Sequence, residues 1–219
     1  MTTPHGFGSA GSQVVSKRLA LATGNPHKVQ ELAQILSSHW PQFDPQWVAT
    51  MADYDLAEPV EDAVTFAGNA LIKARALANV SGLPTIADDS GICVDVLGGA
   101  PGIFSARWCG HHGDSEANLH LLLNQLADVP AEHRGANFTC AAALVLPSGE
   151  EVVREGVVSG TLLTAPQGEG GFGYDPIFVP DGYQVTTAQL SAEEKNAISH
   201  RGKAFTALLP HLRRALQDL

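Results

Sequence analysis

The sequence predicts an α/β fold built on a mixed β-sheet, and three observations carry that prediction. From Arg18 to about Val96, short apolar runs alternate with segments of helical periodicity, the pattern of strands joined by crossing helices. Further on, Pro147-Ser148-Gly149-Glu150 separates two long apolar stretches, 137–146 and 151–158. That is a hairpin signal, and it puts antiparallel strands into the same molecule. Finally, 219 residues of which 44% are apolar suffice for one sizeable core.

The elements follow in order. Residues 1–17 are rich in Gly, Ser and Thr and lack the charged start and apolar centre of a secretion signal. They read as a disordered leader, with 18–219 as a single domain. Arg18 to Thr23 reads as a strand. A helix runs from Pro26 to about Ser38, with Val29, Leu32, Ala33, Ile35 and Leu36 as its apolar face. The Pro- and Asp-rich stretch from Trp40 to Glu61 is mainly loop, with a short strand near Trp47 to Thr50. Thr65 to Val80 is a second helix, closed by Gly82. Pro84 to Ala87 is a buried strand and Ile92 to Val96 a further extended piece. Gly98 to Gly102 is a turn-rich loop, Asp114 to Leu126 a third helix, and Gly168 to Pro176 a glycine-rich loop. Ser191 with Glu194 three residues on is a capping box opening the last helix, which Ser199-His200-Arg201-Gly202 interrupts.

Composition excludes several functions. The net charge of -10 repels nucleic-acid backbones, which need clustered Lys and Arg, so nucleic acid is not an expected partner. The chain has no apolar run of eighteen residues, hence no expected membrane span. Cys93, Cys109 and Cys140 are odd in number and have no metal-ligand spacing. They read as reduced thiols, Cys93 and Cys140 within the core, in a cytoplasmic protein.

Several segments carry chemistry. Thr23-Gly24-Asn25-Pro26-His27-Lys28 joins a strand to a helix, with Asn25 as N-cap and Pro26 at the first helical position. Free N–H groups and the helix dipole there favour an anion, and the cation Lys28 makes sense beside one, although a plain capped helix is the simpler alternative. Asp88-Asp89-Ser90-Gly91 ends an apolar strand, where α/β sheets place their sites, yet the same residues also make a good turn. Glu61 with Asp89 suits Mg²⁺, which takes one or two carboxylates plus phosphate oxygens. Asn69 and Lys73, four apart, share a helix face directed at ligand or at solvent. Gly168 to Gly173 spells GxGxxG but follows no strand and opens no helix, so it is not a dinucleotide fingerprint. It reads as a flexible loop presenting Phe172 for stacking. Lys195, His200, Arg201 and Lys203 gather cations in an acidic chain, and His111-His112 reads as surface.

Taken together, these segments resemble the inosine-triphosphate pyrophosphatase family (the non-canonical purine NTP pyrophosphatases) from about Leu19 to Leu209. The resemblance rests on Thr23-Gly24-Asn25 with Lys28 and Glu31, Thr65-Phe66 with Asn69-Ala70, and Ala87-Asp88-Asp89-Ser90-Gly91. It continues through Leu97 to Gly102 with Ser105-Ala106-Arg107, Gly170 to Pro176, Glu194-Lys195, and Ser199 to Gly202. It implies an elongated mixed sheet whose flanking helices form two lobes around a nucleotide-binding cleft, Mg²⁺, and a homodimer. It also implies hydrolysis of ITP, dITP and XTP to the monophosphate and pyrophosphate. Carried over by position, Asp89 is the proton acceptor and, with Glu61, a metal ligand. Thr23, Gly24, Asn25, Lys28, Asn69, Ser90, Phe172, Gly173, Tyr174, Asp175, Lys195, His200 and Arg201 bind substrate. Asp88 receives no role. The chain departs from the family pattern at Gly68, where Glu is frequent. The alternatives are a pyrophosphatase for other modified nucleotides and a nucleotide-binding regulator without turnover.

Overall fold

The computed structural model describes residues 16–217, so most of the expected leader lies outside the described residues. One six-stranded sheet runs through the molecule in the order β2 (Val48–Thr50), β1 (Leu19–Leu21), β3 (Thr85–Val94), β4 (Gly135–Val145), β5 (Glu151–Leu162), β6 (Phe178–Pro180). The β1 strand pairs parallel with both β2 and β3, and the rest of the sheet is antiparallel, as a mixed sheet requires. The expected hairpin is β4–β5.

Among the described residues there are five α-helices: α1 (Pro26–His39), α2 (Phe66–Ser81), α3 (Ser115–Gln125) and α5 (His200–Gln217) flank the sheet, and α4 (Ala192–Ile198) packs on α5. The Thr65 side chain caps α2, and Gly82 closes it in the left-handed conformation at φ 67°, where Gly alone is free of strain. The Ser191–Glu194 capping box starts α4 as expected, and extended Ser199 breaks the chain before α5.

Alternation along β3 assigns the two sides. Ile86 joins Leu19, Leu21, Leu36, Phe205 and Leu208 under α1 and α5, whereas Ala87 joins Ala20, Ala74 and Leu77 under α2. A third cluster gathers Ile92, Val94, Leu122, Val158 and Phe178 on the other half of these strands. Each fully buried Leu or Phe contributes about 1.5–3 kcal/mol, so α5 is held by its apolar face. Gly156 of β5 lets that helix come close: a Cβ there would lie 2.2 Å from the His200 carbonyl oxygen and 2.6 Å from the Ala204 nitrogen.

Two expectations change. The acidic pair does not sit in a turn between two strands. Residues 85–94 form one continuous strand, held along its length by β4, with Asp88 opposite Ala142 and Asp89 opposite Ala141. Of the cysteines, Cys140 is buried but Cys93 is only half-buried, and all three are free thiols. No helix among the described residues is long and apolar enough to cross a membrane.

Candidate active site

A cavity of about 570 Å³ opens beyond the C-terminal end of β1 and over the middle of β3, at residues 89–92. Its first wall is the turn from β1 into α1. Asn25 N–H bonds the Thr23 hydroxyl at 3.2 Å, the Asn25 carbonyl accepts the Val29 N–H, and Pro26 begins the helix. Gly24 N–H donates to the Glu58 carboxylate at 2.9 Å. A main-chain donor of this turn thus already engages an anion.

Asp88 and Asp89 project to opposite sides of β3 and meet different surroundings. Asp88 is fully buried. Its carboxylate accepts from Lys28 Nζ at 3.0 Å and Arg201 Nε at 3.1 Å, and Cys140 S–H points at it from 3.9 Å. Arg201 also pairs with Glu31 and donates to Ser90 Oγ at 3.1 Å, so all three guanidinium nitrogens are engaged. Burial opposes the Asp88 charge, but Lys28, Arg201 and Lys73 outweigh it and hold this carboxyl well below the usual range. Cys140 is pushed up by burial and by the Asp88 charge, leaving it an inert thiol.

Asp89 opens onto the cavity from the α2 side. Asn69 Nδ2 donates to Asp89 Oδ2 at 3.1 Å, and Lys73 Nζ stands 3.6 Å from Oδ1. Lys73 reaches Glu61 at 2.8 Å, so one ammonium joins two carboxylates. Burial raises the Asp89 carboxyl and Glu61 adds to the rise, against Lys73, Lys28 and the Asn69 bond. Lys73 is itself buried, which opposes its charge, yet Asp89, Asp88 and Glu61 hold it more firmly protonated than a free lysine.

The far wall is the glycine-rich loop. Gly171 and Gly173 adopt φ of 72° and 63°, conformations that an L side chain would strain. Asp175 organises the segment: it accepts from Phe172 N–H at 2.7 Å, Lys195 Nζ at 2.7 Å and the Thr187 hydroxyl at 2.9 Å. The Lys195 ammonium lies 4.8 Å from the centre of the Phe172 ring, a cation–π contact, and Phe172 is 44% exposed. Tyr174 is tied to the Ser105 carbonyl at 2.9 Å. His200 stacks on Phe138 at 5.0 Å, and burial together with Arg201 and Lys195 lowers its pKa, so it is neutral near pH 7.

The expected site residues converge: Thr23, Gly24, Asn25, Lys28, Glu61, Asp89, Ser90, Phe172, Gly173, Tyr174, Asp175, Lys195, His200 and Arg201 all line this cavity. Asn69 does not. It is 0% exposed and serves Asp89 from behind. Sequence reasoning gave no role to Lys73, Glu58, Ser105 or Arg107, which also line the cavity. His112, read as plain surface, stands on its rim. Lys73 had a signal in its shared helix face with Asn69, and Ser105 and Arg107 stood among the residues that carry the family resemblance; Glu58 had none. As for metal, Glu61 and Asp89 already share one cation, so this pair suits a hard divalent ion completed by phosphate oxygens. No ready-made cluster of three or more acidic, His or Cys ligands occurs among the described residues.

A family model described as the Ham1 family matches residues 19–211. The chain is 60% identical over 199 residues to the dITP/XTP pyrophosphatase of Streptomyces coelicolor, covering 91% of this chain and 98% of that one. Among solved structures it resembles a nucleoside-triphosphatase (dITP/XTP pyrophosphatase) from Mycobacterium abscessus at 49% identity and TM-score 0.72, over 88% of this chain and 99% of that one. It also resembles a HAM1 protein from Coxiella burnetii at 35% identity and TM-score 0.81, over 91% and 100% of the two chains.

Proposed function

The chain belongs to the Ham1 family, and from that premise we propose that it hydrolyses dITP, ITP and XTP to the nucleoside monophosphate and pyrophosphate. One observation supports this most directly. Asp89, a buried carboxylate with a raised pKa, faces the same cavity as the anion-engaging turn at Gly24, the cations Lys73 and Lys195, and an exposed aromatic ring at Phe172. A buried, basic carboxylate beside a phosphate cradle is what water activation at phosphorus needs.

In the proposed reaction a water attacks the α-phosphorus, the bond from that phosphorus to the bridging oxygen breaks, and pyrophosphate leaves. Asp89 accepts the proton of the water. The turn at Thr23–Asn25 and the ammonium groups of Lys73 and Lys195 hold the triphosphate, so catalysis comes mainly from position and charge. Mg²⁺, when bound, is held by Glu61 and Asp89 and supplies neutralisation of phosphate charge. Lys73 is placed to release those carboxylates as its ammonium turns to phosphate.

At the base end, Phe172 stacks on the purine. With Arg201 committed to Asp88, Glu31 and Ser90, neutral His200 is the better placed donor to a 6-oxo group, which hypoxanthine and xanthine carry and adenine lacks. Guanine shares the 6-oxo group and is rejected through its 2-amino group if that donor is left unpaired, at about 1–3 kcal/mol. We assign the protein a homodimeric state on family grounds, which sedimentation at micromolar concentration reads directly. The deciding experiment is Mg²⁺-dependent pyrophosphate release from dITP, ITP, XTP, GTP and ATP side by side. Rapid release from the first three is expected, and equal turnover of GTP and ATP overturns the specificity.

A further inference from the structure

Asn69 stands between two parts of the site without touching the cavity. It lies on α2, one turn before Lys73, and its side chain is fully buried. Its Oδ1 accepts the Ala63 N–H at 3.1 Å, and its Nδ2 donates to Asp89 Oδ2 at 3.1 Å. The first bond fixes the second. A main-chain N–H can only donate, so the amide end facing Ala63 must be oxygen and the end facing Asp89 must be the NH₂ group. The two bonds also join two segments: Ala63 sits two residues after Glu61, so Asn69 ties the loop carrying one carboxylate to the strand carrying the other.

Gly68 is what lets that loop come in. A Cβ built at Gly68 would lie 2.5 Å from the Ala63 Cβ and 3.1 Å from the Thr65 hydroxyl. The place that a larger residue would fill here belongs to Ala63. The departure from the family pattern at this position thus has a physical counterpart: a loop packed against the helix where a long side chain would push it away.

We propose that Asn69 is a positioning residue for the reaction, holding the Glu61 loop and the Asp89 carboxylate in one frame, and that Gly68 is the vacancy this frame requires. Lys73 links the same two carboxylates by charge, but its ammonium also faces the cavity, where phosphate competes for it. Asn69, buried and neutral, keeps its bonds whether or not nucleotide is present. This inference rests on the proposed pyrophosphatase reading.

The test compares Asn69→Asp with Asn69→Ala and Gly68→Ala, reading kcat, KM and the hydrogen exchange of the Ala63 amide in the nucleotide-free, metal-free protein. Asn69→Asp keeps an acceptor for Ala63 but replaces the neutral amide donor with a second carboxyl, which competes with Asp89 for a proton. It is expected to retain slow exchange at Ala63 while kcat falls about a hundredfold, the scale of a small misplacement at a reacting centre, with KM little changed. Asn69→Ala and Gly68→Ala are expected to speed Ala63 exchange by about tenfold, as befits the loss of one hydrogen bond. Near-wild-type kcat in Asn69→Asp overturns the proposal, as does Ala63 exchange that is already fast in the wild type. If Asn69→Ala does not fold, Gly68→Ala and the wild-type exchange still decide the loop half. Absence of pyrophosphate release by the wild type sinks the functional reading instead and leaves the exchange result standing.

Discussion

Asp88 and Asp89 are neighbours on one strand, and the alternation of that strand delivers them to two differently built sides of the sheet. On the α1/α5 side, Asp88 is enclosed by Lys28, Arg201 and Cys140 and is held charged. On the α2 side, Asp89 has an amide and a shared ammonium for company, faces the cavity, and is pushed toward the proton-accepting range. The same carboxyl group is a fixed anion in one setting and, in the reaction proposed above, the base in the other. The difference lies in how many cations each side spends on it.

The largest effect that tests this contrast is expected from Asp89→Asn. Pyrophosphate release should fall by about 10³-fold or more, within the range for loss of a general base, while nucleotide binding by calorimetry and the melting temperature stay close to wild type. Near-wild-type turnover would remove Asp89 from its role. Asp88→Asn should do the opposite kind of damage. Removing one partner of a buried ionic cluster costs about 3–5 kcal/mol. In a protein of this size that lowers Tm by roughly 10 °C. The pH dependence follows from the depressed folded-state pKa: the Asp88 contribution is fully present above about pH 4 and lost as pH falls through the lower folded value. Acid melts of wild type and Asp88→Asn should therefore converge only below that range.

A smaller effect concerns His200. Its folded-state pKa is lowered, so the unfolded chain binds the proton more readily, and stability declines as pH falls below about 6.5. His200→Gln should flatten the Tm profile between pH 7 and pH 5 by a few degrees. An unchanged slope would mean the imidazole is not held neutral. The smallest effect is expected from Arg75→Ala. The Arg75–Glu151 pair is bidentate, with bonds of 2.6 and 2.7 Å, shorter than those of Asp88. It is exposed to solvent, and such pairs contribute about 0–1 kcal/mol at most. A Tm loss rivalling that of Asp88→Asn would show that burial is not what separates the two.

Much of this contrast was legible in the residues and part was not. The first two helices, the hairpin and the caps at Gly82 and Ser191 follow from local patterning, because periodicity and capping chemistry act over a few residues. The convergence of the cavity residues was implied by the family resemblance and by no local spacing. The setting of the acidic pair does not. Asp-Asp-Ser-Gly suits a turn as well as a strand, and what decides is β4, some fifty residues away, whose ladder spans all of β3. Lys73 could be placed on Asn69's helix face, but whether that face met ligand or solvent depended on the docking of α2 against β3. Asn69, expected on substrate, instead turned out to serve Asp89, and β6 at three residues ending in Pro180 was too short to signal. Gly68, an oddity by helix propensity, became intelligible only with Ala63 beside it.

The close seat of α5 on β5 has its own consequence for how this protein can vary. Gly156 bears no side chain and lies outside the cavity lining, yet any side chain there would collide with the first turn of α5, which carries both His200 and Arg201. A screen for inactive variants should return hits at this position, on a strand three places along the sheet from β1 and its Thr23–Asn25 turn. A position outside the cavity lining is thus constrained by the backbone on which α5 rests.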